Sequence, residues 1–160
     1  MKQIHLRKAF SMITAIFLIV IMSSIGAFVM NIGGKIVKST TTQYQHEQAE
    51  LYAKSYTEYA IMAVTGHDRR AAGANNCVDT IQGTIGNINQ GGYTMRVNIA
   101  YIGPNTDEAI LHCTPNRKLS TAVITPSTPL TLIIDTYVYY KDPDNTAQTL
   151  TVHRRTVQKI

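Results

Sequence analysis

Residues 7–30 read RKAFSMITAIFLIVIMSSIGAFVM: two cations, a small residue, then a phenylalanine that opens a long apolar run. No charged side chain occurs from Ala9 to Gly34. As a helix rising about 1.5 Å per residue, Phe10 to Ile32 is long enough to cross a hydrocarbon core of roughly 30 Å. The hydroxyls and small residues inside it (Ser11, Thr14, Ser23, Ser24, Gly26) do not spoil the span. Small hydroxyls return hydrogen bonds to their own helix, and small residues let helices approach. In a chain of 160 residues this segment is an appendage to one small domain.

The net charge of +5 follows from the same layout. Lys2, Arg7 and Lys8 precede the apolar run, and the first acid is Glu47. Without residues 1–9 the balance is 12 basic against 10 acidic, or +2. The basic excess is therefore mainly a topology signal that holds the leader on the cytoplasmic side, with the body outside, and nucleic acid is not expected as a partner.

Three N-terminal treatments fit these residues. Ordinary signal peptidase cleavage before Ala27 would use Ser24-Ile25-Gly26, although the apolar run continues past it through Phe28, Val29 and Ile32. A retained single-pass anchor is the second. The third is a cut between Ala9 and Phe10 that leaves the apolar helix on the mature chain.

On that third pattern the chain resembles the type IV pilins and type II secretion pseudopilins. The basic leader ending in Ala9, the Phe10 that follows, and SMITAIFLIVIMSSIGAFVM carry the resemblance. It covers about the first thirty residues, and beyond them it is architectural. It implies cleavage after Ala9 by a prepilin peptidase, N-methylation of Phe10, storage in the bacterial inner membrane with the body in the periplasm, and assembly with other pilin subunits. Two departures stand out: Ala9 where the family usually has glycine, and Thr14 where most members carry glutamate. A carboxylate in hydrocarbon is costly unless paired, and the family's is thought to meet the amine of the next subunit. Thr14 cannot make that pair, which points to a minor subunit of the tip type or the PilX-like group. The rivals are a non-polymerising, envelope-anchored binding module and a competence-type pilin that touches DNA.

The resulting layout is a leader (1–9), an apolar helix (10–33), an amphipathic continuation (34–65), a linker (66–76) and an antiparallel β domain (77–160), in the α+β class with a pilin-like arrangement. Gly33-Gly34 predicts a local kink. In the continuation, Ala49, Tyr52, Tyr56, Tyr59, Ala60 and Ala63 share a face at three and four spacing, opposite Glu50, Lys54 and Glu58. That face is expected to pack on a sheet, and the tyrosines are expected to serve the core and not a ligand. Thr65-Gly66 closes the helix, with Arg69 and Arg70 solvated in the linker.

From Cys77 the period changes to two. Tyr93, Met95, Val97, Ile99 and Tyr101 alternate with smaller or polar residues, between Gly91-Gly92 and Gly103-Pro104-Asn105. Glu108 to Cys113 is expected as a strand across that turn. Leu130 to Tyr140 is expected to pair with Thr149 to Gln158 across Asp142-Pro143-Asp144-Asn145, and Ser120 to Pro129 reads as a loop.

Cys77 and Cys113 fall in the part that the topology places outside the cytoplasm, where a disulfide is favoured over two separate thiols. A metal reading would recruit His112 and His67, but on a strand His112 and Cys113 point to opposite faces. Asp142, Asp144 and Asn145 offer oxygens of the kind calcium takes, and the family resemblance adds that some major pseudopilins bind calcium in a C-terminal loop. Turns favour the same residues. His153, Arg154, Arg155 and Lys159 form the one basic cluster of the body, with Asp135 expected near one of them on the preceding strand. No G-x-S-x-G, phosphate loop or H-E-x-x-H occurs, and the glycines of GTIGNINQGG lack the lysine and helix that phosphate binding needs. Neither catalysis nor a cofactor is expected.

Overall fold

The computed structural model describes residues 6–68, 76–103, 108–120 and 130–160. Lys2, Arg69, Arg70, Pro104, Asn105 and the greater part of the Ser120–Pro129 loop lie outside them. Helix α1 (Leu6–Gly66) is followed by strands β1 (Thr80–Ile85) and β2 (Tyr93–Ile102), a short helix α2 (Glu108–Leu111), and strands β3 (Lys118–Ser120), β4 (Thr131–Lys141) and β5 (Thr149–Lys159). This is the α+β layout expected from the sequence. Two compact units divide the chain, residues up to Thr41 and residues from Thr42 onward.

In the first unit α1 runs uninterrupted through Gly33-Gly34, where neither glycine has a neighbour that a Cβ would meet. The cost of two glycines in a helix interior, about 1 kcal/mol each, does not break a helix of this length.

The second unit is a sheet with the rest of α1 on one face. Its strands run in the order β1-β2-β4-β5, antiparallel throughout, and β3 adds a short parallel pairing to the end of β2. The β4–β5 hairpin pairs Thr131 with Lys159 through to Lys141 with Thr149 without a register slip. The alternation is clean on β2 and β4: Tyr93, Met95, Val97, Ile99, Tyr101 and Leu132, Ile134, Thr136, Val138, Tyr140 are all buried. Odd and even positions of a strand face opposite ways, so these residues form one floor beneath the helix.

The helix stripe differs from the sequence reading. Ala49, Ala53, Thr57, Ala60 and Val64 are the buried residues, Tyr52 and Tyr56 are half-buried, and Tyr59 is 53% exposed. Small residues lie on the line of contact, which lets the helix come close to the floor. Tyr52 and Tyr56 flank that line. Tyr52 packs on Tyr93 with ring centres 5.0 Å apart. Tyr56 lies over β1, where Gly83 leaves room: a Cβ there would fall on the Tyr56 hydroxyl and ring carbons. Gly92 is equally tied, since its Cβ would come within 2.6 Å of the Gly86 carbonyl carbon and the Ile85 oxygen in the β1–β2 turn.

Two apolar clusters result. One joins Ala60 and Val64 to Val97, Ile99, Tyr101, Ile110 and Leu132; the other joins Ala49 and Ala53 to Tyr93, Met95, Val138 and Tyr140. Thr57 of α1 and Thr136 of β4 are both buried and meet at 3.0 Å. The Thr57 hydroxyl donates to the Ala53 carbonyl at 2.7 Å, so the Thr136 hydroxyl donates across to Thr57. Every buried hydroxyl needs a partner, and this pair registers helix on sheet.

Glu108 to Cys113 is not a strand. Glu108–Leu111 is a helical turn that sends Ile110 into the core, and His112 and Cys113 follow in the turn after it. Glu-Ala-Ile-Leu is a run of good helix formers, and the place beside the end of β2 is taken by β3 instead.

Candidate functional site

The feature with the largest functional demand is the first unit of α1. From Met12 to Val37 every large apolar side chain is exposed, Met12 at 71%, Phe17 at 64% and Met30 at 83% among them. They occur on every side of the helix, so no single groove could cover them. Four of its hydroxyls are internally provided for: Ser23 and Ser24 donate to the Val20 and Ile21 carbonyls at 3.0 and 2.8 Å, and Thr40 and Thr41 donate to the Ile36 and Val37 carbonyls. Hydroxyls spent on their own backbone leave an apolar surface that suits lipid or another helix. Among the described residues α1 is the one helix long and apolar enough to cross a membrane, and it has the character of an anchor or signal segment. Ala9 and Phe10 lie within α1, and Thr14 is exposed on it.

The body carries the remaining sites named from the sequence. Cys77 and Cys113 form a disulfide with Cα atoms 5.0 Å apart. The strand geometry that argued against a metal at His112 does not hold, because the segment is a helix and turn. What removes the cysteines from metal chemistry is the bridge itself. Around it, the Asn76 N–H donates to the His112 carbonyl at 3.0 Å and the Thr114 hydroxyl to Asp79 Oδ2 at 2.5 Å. His67 lies elsewhere in this network, bonded to the Asn76 side chain at 3.1 Å. Among the described residues no three His, Cys, Asp or Glu side chains are placed to hold a metal ion.

The hairpin loop uses its oxygens for turns. Asp142 Oδ1 accepts from the Asp144 N–H at 2.9 Å and Asn145 Oδ1 from the Ala147 N–H at 3.3 Å. These are Asx turns, the ordinary work of such residues.

The basic cluster divides between the faces of β5. His153 and Arg155 point away from the helix, and both reach Asp135: Arg155 Nε and Nη2 at 2.7 and 2.9 Å, His153 Nε2 at 2.9 Å. The hydrogen bond from Arg155 holds the Asp135 carboxyl below the usual carboxylate range, with His153 adding to it and burial opposing. The imidazole of His153 also stacks on Tyr137, ring centres 4.4 Å apart. Two of the four basic groups thus complete an ion-paired, stacked cluster on the sheet surface. Arg154 falls opposite Thr136, on the helix side of the sheet.

At the other end of the body, Tyr93 and Tyr140 have hydroxyls pushed to higher pKa, chiefly by burial. The Tyr93 hydroxyl donates to the Gln45 carbonyl at 3.4 Å, and the Tyr140 hydroxyl lies 3.3 Å from His46 Nδ1. The tyrosines therefore serve packing and registration.

Comparison with protein-family models, curated proteins and solved structures finds no match.

Proposed function

We propose that this chain is a minor subunit of a type IV pilus or type II secretion filament. In this reading it is cut between Ala9 and Phe10 and methylated on Phe10. Its apolar helix stores it in the inner membrane with the sheet body in the periplasm, and then enters the filament core. Its work is assembly, and the motor and membrane platform come from other chains. The observation that carries the reading is the all-round apolar exposure of α1 from Met12 to Val37, placed directly after residues that look like a prepilin leader. Such a helix exchanges lipid for neighbouring helices at little cost, because both offer the same apolar contact. Thr14, in the place of the family glutamate, favours a low-copy position at the filament tip, where no subunit above presents an amine to neutralise.

The test is the mass and N-terminal sequence of the chain isolated from the membrane of its native host. Phe10 at the terminus, bearing a methyl group, is the expected result, and Ala9→Arg should leave the full-length precursor. An intact Met1 would overturn the assignment in favour of a non-polymerising anchor. A terminus at Ala27 would mean ordinary secretion.

A further inference from the structure

We propose that β5 is a docking edge for an extended, acidic segment of a different protein, which adds to the sheet as a further strand. β5 ends the strand order, and among the described residues its ladder partner is β4 alone. Thr149, Thr151, His153, Arg154, Arg155, Val157 and Lys159 are all exposed along it. A strand of eleven residues with one free side presents unpaired N–H and C=O groups that can template another strand.

The chemistry of the occupant follows from what flanks that edge. Between β5 and α1 lies an open notch of about 140 Å³ lined by Glu50, Ala53, Lys54, Val152, His153 and Arg154. Part of its lining is apolar, since Val152 packs against the cluster that holds Ala53. Two cations, Lys54 and Arg154, also line it, neither in an ion pair among the described residues. The one acid, Glu50, sits 3.5 Å from the His46 imidazole a turn away. Leu150, Val152 and Arg154 succeed one another on the helix side of β5, so a strand laid beside them is read at alternate residues. The fitting pattern is apolar, apolar, acidic at spacing two, with the carboxylate between Arg154 and Lys54. A second copy of β5 does not fit. Antiparallel pairing about its centre would set Arg154 against Arg154, and like charges directly opposite are unfavourable. The same charges that bar self-association select an acidic strand.

The inference does not depend on how the leader is processed. It is tested on the full chain in detergent micelles with two blocked heptapeptides of alternating threonine and valine. One has a glutamate in a terminal valine position and the other a lysine there. Titrated into the millimolar range, the glutamate peptide should protect β5 backbone amides from hydrogen exchange and bind at least tenfold more tightly than the lysine peptide. Arg154→Glu, an exposed substitution, should invert the preference. The proposal is overturned if neither peptide protects β5, if both bind equally, or if Arg154→Glu changes nothing. Equivalent loss of affinity to polyglutamate without amide protection would mean a simple anion patch, and protection that grows with the concentration of the chain alone would mean self-pairing. Either also overturns it.

Discussion

Removing the Cys77–Cys113 bridge should cost the body a large share of its stability, and the size can be worked from the chain. The cysteines are 36 residues apart, and closing a loop of that length lowers the entropy of the unfolded chain enough to stabilise by about 4 kcal/mol in the chain-entropy treatment. Small domains are stable by only about 5–15 kcal/mol in all. The assay is urea denaturation of a fragment spanning Thr42–Ile160, the unit that holds the whole sheet, followed by tyrosine fluorescence, since the chain has no tryptophan. With a urea slope of about 1–3 kcal/mol per molar for a domain of this size, Cys77→Ala/Cys113→Ala should lower the midpoint by roughly 1.3–4 M, and reducing the parent should do the same. The loss should be felt first beside the bridge. The Asn76 and Cys113 amides, bonded to the His112 and Ile110 carbonyls, should exchange fastest relative to the parent. A midpoint within about 0.5 M of the oxidised parent would refute the reasoning, because the α2 segment would then be held by Ile110 and its neighbours without the bridge.

Thr57→Val should destabilise by about 1–3 kcal/mol, because it leaves the Thr136 hydroxyl buried without an acceptor; adding Thr136→Val should recover part of the loss, and strictly additive costs in a double-mutant cycle would deny the contact. Gly83→Ala should cost about 1–3 kcal/mol by displacing the Tyr56 ring, and Tyr56→Ala should remove that extra penalty in the same denaturation assay. The Asp135 carboxyl is lowered in the folded state by Arg155 and His153, so its contribution is complete above the unfolded carboxylate value near 3.9 and is lost as pH falls through the lowered folded value. Urea midpoints measured from pH 6 down to pH 3 should therefore fall less steeply for Asp135→Asn than for the parent, and parallel curves would show that the pair contributes nothing.

What was legible in the sequence was whatever a strict period carried. The alternation of Tyr93 to Tyr101, and of Leu130 to Tyr140 against Thr149 to Gln158, gave strands and pairing that agree with β2, β4 and β5 to within a residue or two at the ends. The approach of Asp135 to the basic cluster followed from the same register. The less visible parts depend on tertiary contact. β1 carries a glycine in its middle, a poor strand signal until the Tyr56 ring supplies its reason. Three residues of parallel pairing in β3 have no local signature. The three-and-four spacing puts Tyr59 on the packed face, where it is more than half exposed, and does not include Thr57, which is buried. Close helix-to-sheet packing reverses that choice: it selects small residues on the contact line and accepts a hydroxyl whose partner, Thr136, lies 79 residues away.

The two stretches of α1 solve different problems. From Thr42 on, the stripe Ala49, Ala53, Thr57, Ala60 and Val64 fits a floor that this chain supplies. From Met12 to Val37 there is no stripe, and sixteen large apolar side chains are exposed. Full burial of each is worth about 1.5–3 kcal/mol, so leaving them in water forgoes on the order of 30 kcal/mol, more than the whole stability of a typical domain. Cover from outside the chain is therefore a physical requirement. Lipid and neighbouring helices supply nearly the same apolar contact, so hydrophobicity alone does not choose between a permanent anchor and a filament subunit. That choice rests on the few groups whose energy differs between the two settings. In the proposed filament reading, cleavage after Ala9 would free an amine on Phe10, and Thr14 would bring no carboxylate to meet the amine of a neighbouring subunit. A Phe10 terminus is what the filament reading requires and an intact Met1 what the anchor reading requires, which is why the mass of the chain decides more than any measurement on the sheet.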